Sequence, residues 1–323
     1  MKNQNLFKTL VLLSLVILVC AFAFTSCIVV ETPDTTDPSD DAVVTTAKDN
    51  TDEGKTATTT KAPAATTTPT KFEEVTVVEN EHCVIKVKGI SDTILGLSLK
   101  IELENKSQDK TFMFSISELS INGIECSSLY AEEVAATKKA ISNATILVDS
   151  LEEAGVTEYT DIKIQFRVYD TNDWFSDDIA LESVHIYPLG EEKAVKYTRE
   201  DKAADIVIID NEYVKAVITG YHNDIIWGYS AKLYVENKTD STAMFSVDEA
   251  SVNGFMADPF FAHTLAADTC AFTDISWSSS TLEDLGITKP NEEITNIEFV
   301  FKAQDYDNWL GDKYCEELVK IDK

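Results

Sequence analysis

Two short acidic segments contain the residue types that could bind a divalent cation. The first contributes Asp170, Asn172, Asp173 and Asp177, and the second contributes Asp305, Asp307, Asn308 and Asp312. Clustered carboxylate and amide oxygens are the ligands that Ca²⁺ prefers. Each segment also holds a tryptophan, Trp174 or Trp309, whose ring could stack on a sugar or pack inward. Because Asp and Asn also favour turns, the segments predict a turn that closes a domain, a partner surface or a Ca²⁺ site.

The sequence lacks the local motifs on which common catalytic and cofactor sites depend. It contains no H-E-x-x-H, no G-x-S-x-G and no phosphate-binding glycine loop. Only 11 glycines occur in 323 residues, which leaves little room for such loops. We therefore predict a protein that is not an enzyme. We also predict no cofactor, with Ca²⁺ at the acidic segments as the alternative.

Residues 78–186 and 209–321 are two copies of one domain. The sequence Glu-Asn-Lys at 104–106 recurs at 236–238, an offset of 132, and most other matches lie at 131. After a four-residue insertion the offset becomes 135, and both acidic segments then read Asp-x-Asx-Asx-Trp-x-x-Asp. A repeat of this length is a whole domain. Chemistry common to both copies should occupy aligned positions, yet none of the four histidines aligns with another histidine.

One aromatic cluster belongs to the second copy alone. Phe260 and Phe261 follow Phe255 and Pro259 closely, just after the Asn-Gly pair at 253–254. The first copy has smaller or aliphatic residues in the corresponding stretch: Ile124, Ser127, Ser128 and Leu129. The second copy is therefore predicted either to bury these rings in its core or to expose an aromatic contact surface.

The N-terminus predicts export and lipid attachment. Lys2 and Lys8 precede an apolar run at 10–24, and these 15 residues are fewer than the ~20 that span a bilayer. A basic start followed by a short apolar core is typical of a secretory signal. Phe24-Thr25-Ser26-Cys27 resembles a bacterial lipoprotein signal, in which the cysteine receives diacylglycerol. An ordinary cleaved signal and an uncleaved anchor are the alternatives.

Four cysteines remain beyond the signal and Cys27. Cys83 and Cys126 lie in the first copy, and Cys270 and Cys315 lie in the second. An extracytoplasmic location would permit one disulfide in each copy. However, the positions are not shared between the copies, which favours buried free thiols over disulfides. Without a C-x-x-C pair, a zinc site is not expected.

Composition defines the boundaries of the remaining segments. We predict a signal peptide at 1–26, a disordered Thr/Ala/Pro/Asp-rich linker at 27–71 that begins with the lipidated Cys27, and a second linker at 191–204. The two repeats then occupy 72–190 and 205–323, and each should fold alone. The linker has too few large apolar side chains to offset its chain entropy.

Most of the net charge of −29 lies in the two repeats, which share it equally. Residues 72–188 contain 22 acidic and 9 basic side chains, and residues 206–323 contain 21 and 8, so each carries −13. Nucleic acids and anionic lipid surfaces require clustered Lys and Arg. The charge therefore argues against a nucleic-acid partner.

Strand-like alternation sets the predicted fold class. Leu97, Leu99, Ile101 and Leu103 alternate with polar residues, and Tyr229, Ala231, Leu233 and Val235 do the same. This period of two predicts strands with one face in water. Asn-Gly pairs at 122–123 and 253–254 predict hairpin turns. Each copy also predicts one short capped helix, at 150–155 and 281–286. About seven strands per copy predict an all-β protein with two tandem immunoglobulin-like β-sandwich domains.

The sequence resembles the immunoglobulin-like domains of uncharacterised lipoproteins from Gram-positive, mostly clostridial, bacteria. The resemblance rests on the run at 99–107, the Asn-Gly hairpin and the C-terminal Tyr-Asp-x-x-Asp-Trp, and it covers residues 75–321. It implies an outer-face, lipid-anchored location and the sandwich fold, and it brings no catalytic residues. We therefore predict a non-catalytic binding or spacer protein of the cell envelope, with a protein partner favoured. A carbohydrate-binding module is the alternative, followed by an envelope hydrolase.

Overall fold

The computed structural model describes residues 72–94, 96–173, 175–224, 226–308, 310–311 and 313–323. The predicted signal peptide, Cys27 and the 27–71 linker lie outside the described residues, as do Trp174, Trp309 and Asp312. Among the helices that are described, none combines the length and apolar character needed to cross a bilayer.

Repeat 1 is built from strands that form two layers. Its described strands are β1 (Val75–Glu79), β2 (Cys83–Thr93), β3 (Gly96–Asn105), β4 (Phe112–Ile121), β5 (Ile124–Glu125), β6 (Ser127–Ser128), β7 (Ala131–Val134), β8 (Lys139–Leu147), β9 (Ile162–Asp170) and β10 (Ala180–Ile186). One layer has the order β1-β2-β3-β8-β6, and the other contains β10-β9-β4-β5 with β7 paired to β4. The neighbouring strands of repeat 1 pair antiparallel.

Repeat 2 follows the same plan. Its described strands are β11 (Ile206–Asp210), β12 (Val214–Asp224), β13 (Gly228–Asn237), β14 (Ala243–Val252), β15 (Phe255–Met256), β16 (Ala262–Leu265), β17 (Cys270–Trp277), β18 (Asn296–Asp305) and β19 (Lys313–Asp322). One layer contains β17-β13-β12-β11, and the other has the order β15-β14-β18-β19 with β16 on β14. The prediction of an all-β protein with two immunoglobulin-like sandwiches is confirmed.

The alternating strands point their apolar residues inward, as predicted. The alternating leucines and isoleucine of β3 are buried at 0–1% exposure, and so are the matching residues of β13. Facing side chains from β9 and β18 complete each core, among them Phe166 and Phe299. The Asn-Gly turns are confirmed as well, because Asn122 and Asn253 both adopt a φ of 52°, which Asn accepts more readily than most residues.

The short helices begin earlier than the sequence predicted. The described helices are α1 (Asp149–Ala154), α2 (Ser279–Asp284) and α3 (Pro290–Glu293), with one 3₁₀ turn at Glu191–Lys193. In α1 the predicted cap Ser150 lies inside the helix, and Val148 precedes it without a side-chain cap. In α2 the cap is Ser278, whose hydroxyl accepts a hydrogen bond from the Thr281 backbone N–H at 3.1 Å. The terminating glycines Gly155 and Gly286 are at positive φ, as the motif requires.

One sheet runs through both repeats. The Cys270 backbone N–H at the start of β17 donates to the Gly123 carbonyl at 2.9 Å. This contact pairs β17 with β5 in parallel and joins two layers into a nine-stranded sheet. The second layer of repeat 1 therefore continues into the first layer of repeat 2. The two sandwiches meet through backbone hydrogen bonding as well as through side chains.

The apolar interface between the repeats corrects the prediction that β13 has one face in water. Tyr234 lies on the outer face of β13, yet it is only 1% exposed. It belongs to the core cluster of repeat 1, together with Val217 and Cys270 of repeat 2. Phe272 packs against this cluster and lies 5.4 Å from the Tyr234 ring, between centroids. Repeat 1 therefore covers part of a face that alternation alone assigns to solvent.

The segment at 191–204 is bound to both repeats. The Tyr197 backbone N–H donates to the Asn122 carbonyl at 2.8 Å, and the Lys196 ammonium pairs with Asp268. Arg199 and Asp205 form an ion pair at 2.8 Å in which both side chains are at least 94% buried. The 191–204 segment therefore contacts both sandwiches and holds them together.

Candidate functional site

The first acidic segment forms a turn that its own aspartate stabilises. Asp170 ends β9 and is 5% exposed. Its Oδ1 accepts the Asn172 backbone N–H at 3.0 Å, and its Oδ2 lies 3.1 Å from the Lys110 ammonium. These contacts, with the backbone hydrogen bond as the larger cause, lower the pKa of Asp170. Asn172, Asp173 and Asp177 are exposed.

The second acidic segment uses its aligned aspartate in the same way. Asp305 Oδ1 accepts the backbone N–H groups of Asp307 and Asn308, both at 2.9 Å. Its Oδ2 accepts the hydroxyls of Ser241 at 2.8 Å and Tyr314 at 3.1 Å. The Ser241 hydrogen bond is the main cause of the lowered pKa of Asp305. Across the described residues, no three His, Cys, Asp or Glu side chains are grouped so as to hold a metal ion.

The aromatic cluster of repeat 2 forms a surface pocket. The pocket is an open depression of about 560 Å³ on the surface of repeat 2. Its lining residues are Trp227, Pro259, Phe260, Phe261, Ala262, Thr273, Asp274 and Ser276. The prediction singled out Phe260 and Phe261 but missed Trp227 and Asp274, which lie on distant strands and turns.

Local structure explains why the rings of the pocket are displayed. Trp227 lies in the turn between β12 and β13, where its backbone N–H donates to Asp224 Oδ1 at 2.8 Å. Phe260 is held by two backbone hydrogen bonds to Ser276, of 2.7 and 3.2 Å. Trp227 and Phe260 remain 58% and 64% exposed. Phe261 instead packs inward and stacks on Phe301, with ring centroids 6.2 Å apart.

Asp274 brings a carboxylate to this aromatic pocket. Its side chain is 42% exposed, and burial is the main cause that raises its pKa. The nearest basic side chain is His222, whose Nδ1 lies 3.8 Å from Asp274 Oδ1 and has no hydrogen-bond partner in the described structure. Lys232 is drawn toward repeat 1, where it pairs with Glu153 at 3.1 Å. The pocket therefore combines aromatic rings with a weakly paired acid.

The aligned positions of repeat 1 do not reproduce this site. Phe260 aligns with Leu129, Asp274 with Asn143 and His222 with Ser91. Leu129 is 85% exposed and Asn143 is exposed. The sequence signal that could have found Asp274 is the change from Asn143 to Asp274 between the copies, next to aromatic residues that occur only in the second copy.

The four cysteines of the repeats are buried free thiols in this structure. Burial raises the pKa of Cys83 and Cys315 to about 11, and that of Cys126 and Cys270 to about 12. The thiolate is the reactive form. These cysteines therefore act as small apolar core residues, and neither of the disulfides that the sequence left open is formed.

The chain matches no family model and no curated protein. Matches among solved structures include the chaperone–tip adhesion subunit pre-assembly complex of archaic Csu pili from Acinetobacter baumannii. That match has 12% identity and a TM-score of 0.20, and covers 69% of this chain and 90% of that one.

Two further solved structures are similar at the same level. The YadV chaperone has 12% identity and a TM-score of 0.22, with 69% of this chain and 92% of that chain covered. Red sea bream transglutaminase has 10% identity and a TM-score of 0.22, with 76% of this chain but 31% of that chain covered. At these scores the similarities bear on neither activity nor partner.

Proposed function

We propose that this chain is a lipid-anchored protein of the cell envelope that binds another envelope protein through repeat 2 and catalyses no reaction. The aromatic pocket carries this proposal. Trp227 and Phe260 expose more than half of their surfaces, and the neighbouring Ile226 is 79% exposed. Apolar residues displayed together beside polar ones are characteristic of interaction sites, and Trp is enriched among the residues that dominate binding energy.

Repeat 1 serves in this proposal as a rigid support. The continuous sheet, the shared apolar cluster and the docked 191–204 segment fix repeat 2 against repeat 1. A site held on a rigid frame loses less conformational freedom when it binds. The predicted linker at 27–71 would separate this frame from a lipid on Cys27.

Site-specific cross-linking tests the partner-binding proposal. A photoreactive benzoyl-phenylalanine replaces Phe260 in the full-length chain, and the same residue replaces Leu129 of repeat 1 as the matched control. We expect illumination of intact cells to give a discrete adduct with one envelope protein at 260 and none at 129. Equal adducts at both positions, or none at either, would overturn the proposal.

Carbohydrate binding is the second candidate function. An exposed tryptophan beside a carboxylate, here Trp227 beside Asp274, suits a sugar ring as well. A glycan array probed with residues 72–323 distinguishes the two functions. If a glycan on the array binds, Trp227→Ala abolishes that binding and no protein is cross-linked at position 260, then the partner is a glycan and not a protein.

The lipid anchor has its own test. Cys27→Ala removes the thiol that would receive diacylglycerol, so we expect no incorporation of labelled fatty acid and either release of the protein or an uncleaved precursor. Cys20→Ala is the matched control and should label normally. Unchanged labelling of Cys27→Ala would contradict the lipoprotein assignment without affecting the binding site.

A further inference from the structure

The acid in the aromatic pocket is paired poorly with its surroundings. His222 lies 3.8 Å from Asp274, and the charged groups that act on Asp274 are Lys232, Glu153 and Asp224. Lys232 is engaged by Glu153, while Glu153 and Asp224 both repel the Asp274 carboxylate. No lysine or arginine is among the residues that line the pocket. A cation entering the pocket would therefore meet a carboxylate that still lacks a close partner.

The rings of the pocket favour the same kind of ligand. A lysine or arginine side chain has an apolar stem and a charged end, and the stem can pack along an aromatic surface. Ammonium and guanidinium groups are also attracted to the faces of aromatic rings, most strongly to Trp. Trp227 and Phe260 supply such faces beside Asp274. Sequence composition agrees, because repeat 2 carries a net charge of −13.

The edge of β17 adds backbone groups to the pocket. Ser276 uses both its N–H and its C=O to bond Phe260 on the outer edge of β17, away from β13. In an antiparallel strand every second residue points its backbone groups to the same edge. Asp274 therefore presents its N–H and C=O there too, and the described residues supply no hydrogen-bond partner for them. An extended peptide can use such groups by adding to the sheet.

We infer that the pocket binds an extended segment of a partner protein that carries a lysine or arginine, with that side chain against Trp227 and Phe260 and its charge on Asp274. This inference rests on the proposed function, since it names the chemistry of the partner at the same site. In this arrangement the charged end of the partner's lysine or arginine contacts Asp274 and its apolar stem packs on the aromatic rings. The backbone of the partner segment bonds to the edge of β17.

Three matched peptides test the inference on residues 72–323. They are acetyl-Val-Lys-Val-amide, the same peptide with norleucine, which keeps the stem but lacks the ammonium group, and the same peptide with glutamate. Binding is followed by the indole N–H signal of Trp227 in two-dimensional NMR, assigned with Trp227→Phe. We expect the lysine peptide to bind about fivefold or more tightly than the norleucine peptide, the factor that ~1 kcal/mol provides. The glutamate peptide should bind least.

Substitutions then separate the contributions of charge and stem. Asp274→Asn should bring the lysine and norleucine affinities within about twofold of each other, because it removes the charge and keeps the shape. Trp227→Ala should weaken both peptides, and Leu129→Ala in repeat 1 should weaken neither. Added salt should weaken the lysine peptide selectively.

The outcomes distinguish this inference from the proposed function. Equal lysine and norleucine affinities in the unmodified chain, or a lysine preference that survives Asp274→Asn, would overturn the inference. If the norleucine peptide binds as well as the lysine peptide, and Trp227→Ala abolishes its binding, the inference is overturned but an apolar partner site remains. No binding of any peptide, together with no cross-link at position 260, would overturn both.

Discussion

The two repeats share a core and differ on one face. On the outer face of β3, repeat 1 presents Lys100, Glu102 and Glu104 to solvent, and Glu104 pairs with Lys139 at 2.9 Å. On the matching face of β13, repeat 2 presents Tyr234, which is almost fully buried against repeat 1. Duplication has therefore preserved what points inward in both copies, while the outward positions have acquired different partners.

This difference divides the outer face of the repeat 2 sheet into two parts. The part around Tyr234 and Phe272 is covered by repeat 1 and the 191–204 segment. The part around Asp274, near the Trp227 turn, remains open as the aromatic pocket. Repeat 2 thus has both the docking surface and the candidate site, whereas the corresponding face of repeat 1 is a charged surface in water.

Separating the repeats should have the largest effect, and it should be unequal. The core cluster of repeat 2 contains only its own residues, but the cluster of repeat 1 includes Val217, Tyr234 and Cys270 from repeat 2. Each buried apolar side chain contributes roughly 1.5–3 kcal/mol. We expect residues 205–323 alone to melt cooperatively with β-rich circular dichroism. Residues 72–190 alone should also fold, but melt at least ~20 °C below the joined chain.

Calorimetry of both fragments and of residues 72–323 checks this. If the repeat 1 fragment melts as high as the joined chain, the shared cluster does not stabilise it. If neither fragment folds, the repeats form a single cooperative unit, and the predicted boundary at 191–204 does not separate two domains.

A single substitution should reproduce part of this effect. Tyr234→Ala removes a large buried ring from the interface, and aromatic-to-alanine changes in cores cost about 3–5 kcal/mol. Its aligned residue in repeat 1 is Glu102, which is partly exposed. Glu102→Ala should change the free energy of unfolding by less than about 0.5 kcal/mol. Urea unfolding of both variants measures the contrast, and equal effects would show that the two outer faces are equivalent.

The sequence predicted the core-facing residues of this molecule well. Alternation located β3 and β13 because a buried face repeats every second residue, and the Asn-Gly pairs located two turns because few residues accept positive φ. The contacts of the outward-facing residues were harder to predict. Tyr234 occupies a solvent-facing position in the alternating pattern and is buried only because a second domain covers it. No local sequence pattern indicates that contact. Asp274 lies 14 residues and Trp227 lies 33 residues from Phe260 along the chain, so the pocket too depends on tertiary structure.

The aligned aspartates of the acidic turns should contribute a smaller, acid-sensitive part of the stability. Hydrogen bonds lower the pKa of Asp170 and of Asp305 in the folded state. Their stabilisation is therefore present above the unfolded-state pKa and is lost as pH falls through the lowered folded-state value. We expect Asp305→Asn to reduce the melting temperature at pH 7, less than Tyr234→Ala does, and this deficit to shrink steadily toward pH 2. Asp170→Asn should behave alike. If the deficit in melting temperature does not depend on pH, the carboxylate charge is not its cause.

The same turns give the test for Ca²⁺. In repeat 2 the two oxygens of Asp305 together accept four hydrogen bonds from the protein, so a cation would have to displace some of these donors. We expect equal melting temperatures in millimolar Ca²⁺ and in chelator. A rise of several degrees in Ca²⁺, abolished by Asp170→Asn together with Asp305→Asn, would establish these turns as a calcium site.

The smallest expected effect, and the one that links stability to the pocket, is a gain on neutralising Asp274. Burial raises its pKa in the folded state, so ionisation costs more there than in the unfolded chain. The sign is opposite to that of Asp305: stability falls as pH rises from the ordinary aspartate pKa through the raised folded-state value. Asp274→Asn should therefore raise the melting temperature at pH 7 slightly, because the side chain is 42% exposed and solvent weakens the effect, and should change nothing at pH 2, where both states are protonated. Asn143→Asp places the same charge at the exposed, aligned position of repeat 1 and should leave the melting temperature unchanged. A lower melting temperature for Asp274→Asn at pH 7 would mean that His222 already satisfies the carboxylate, and the acid would then have less to offer an incoming cation.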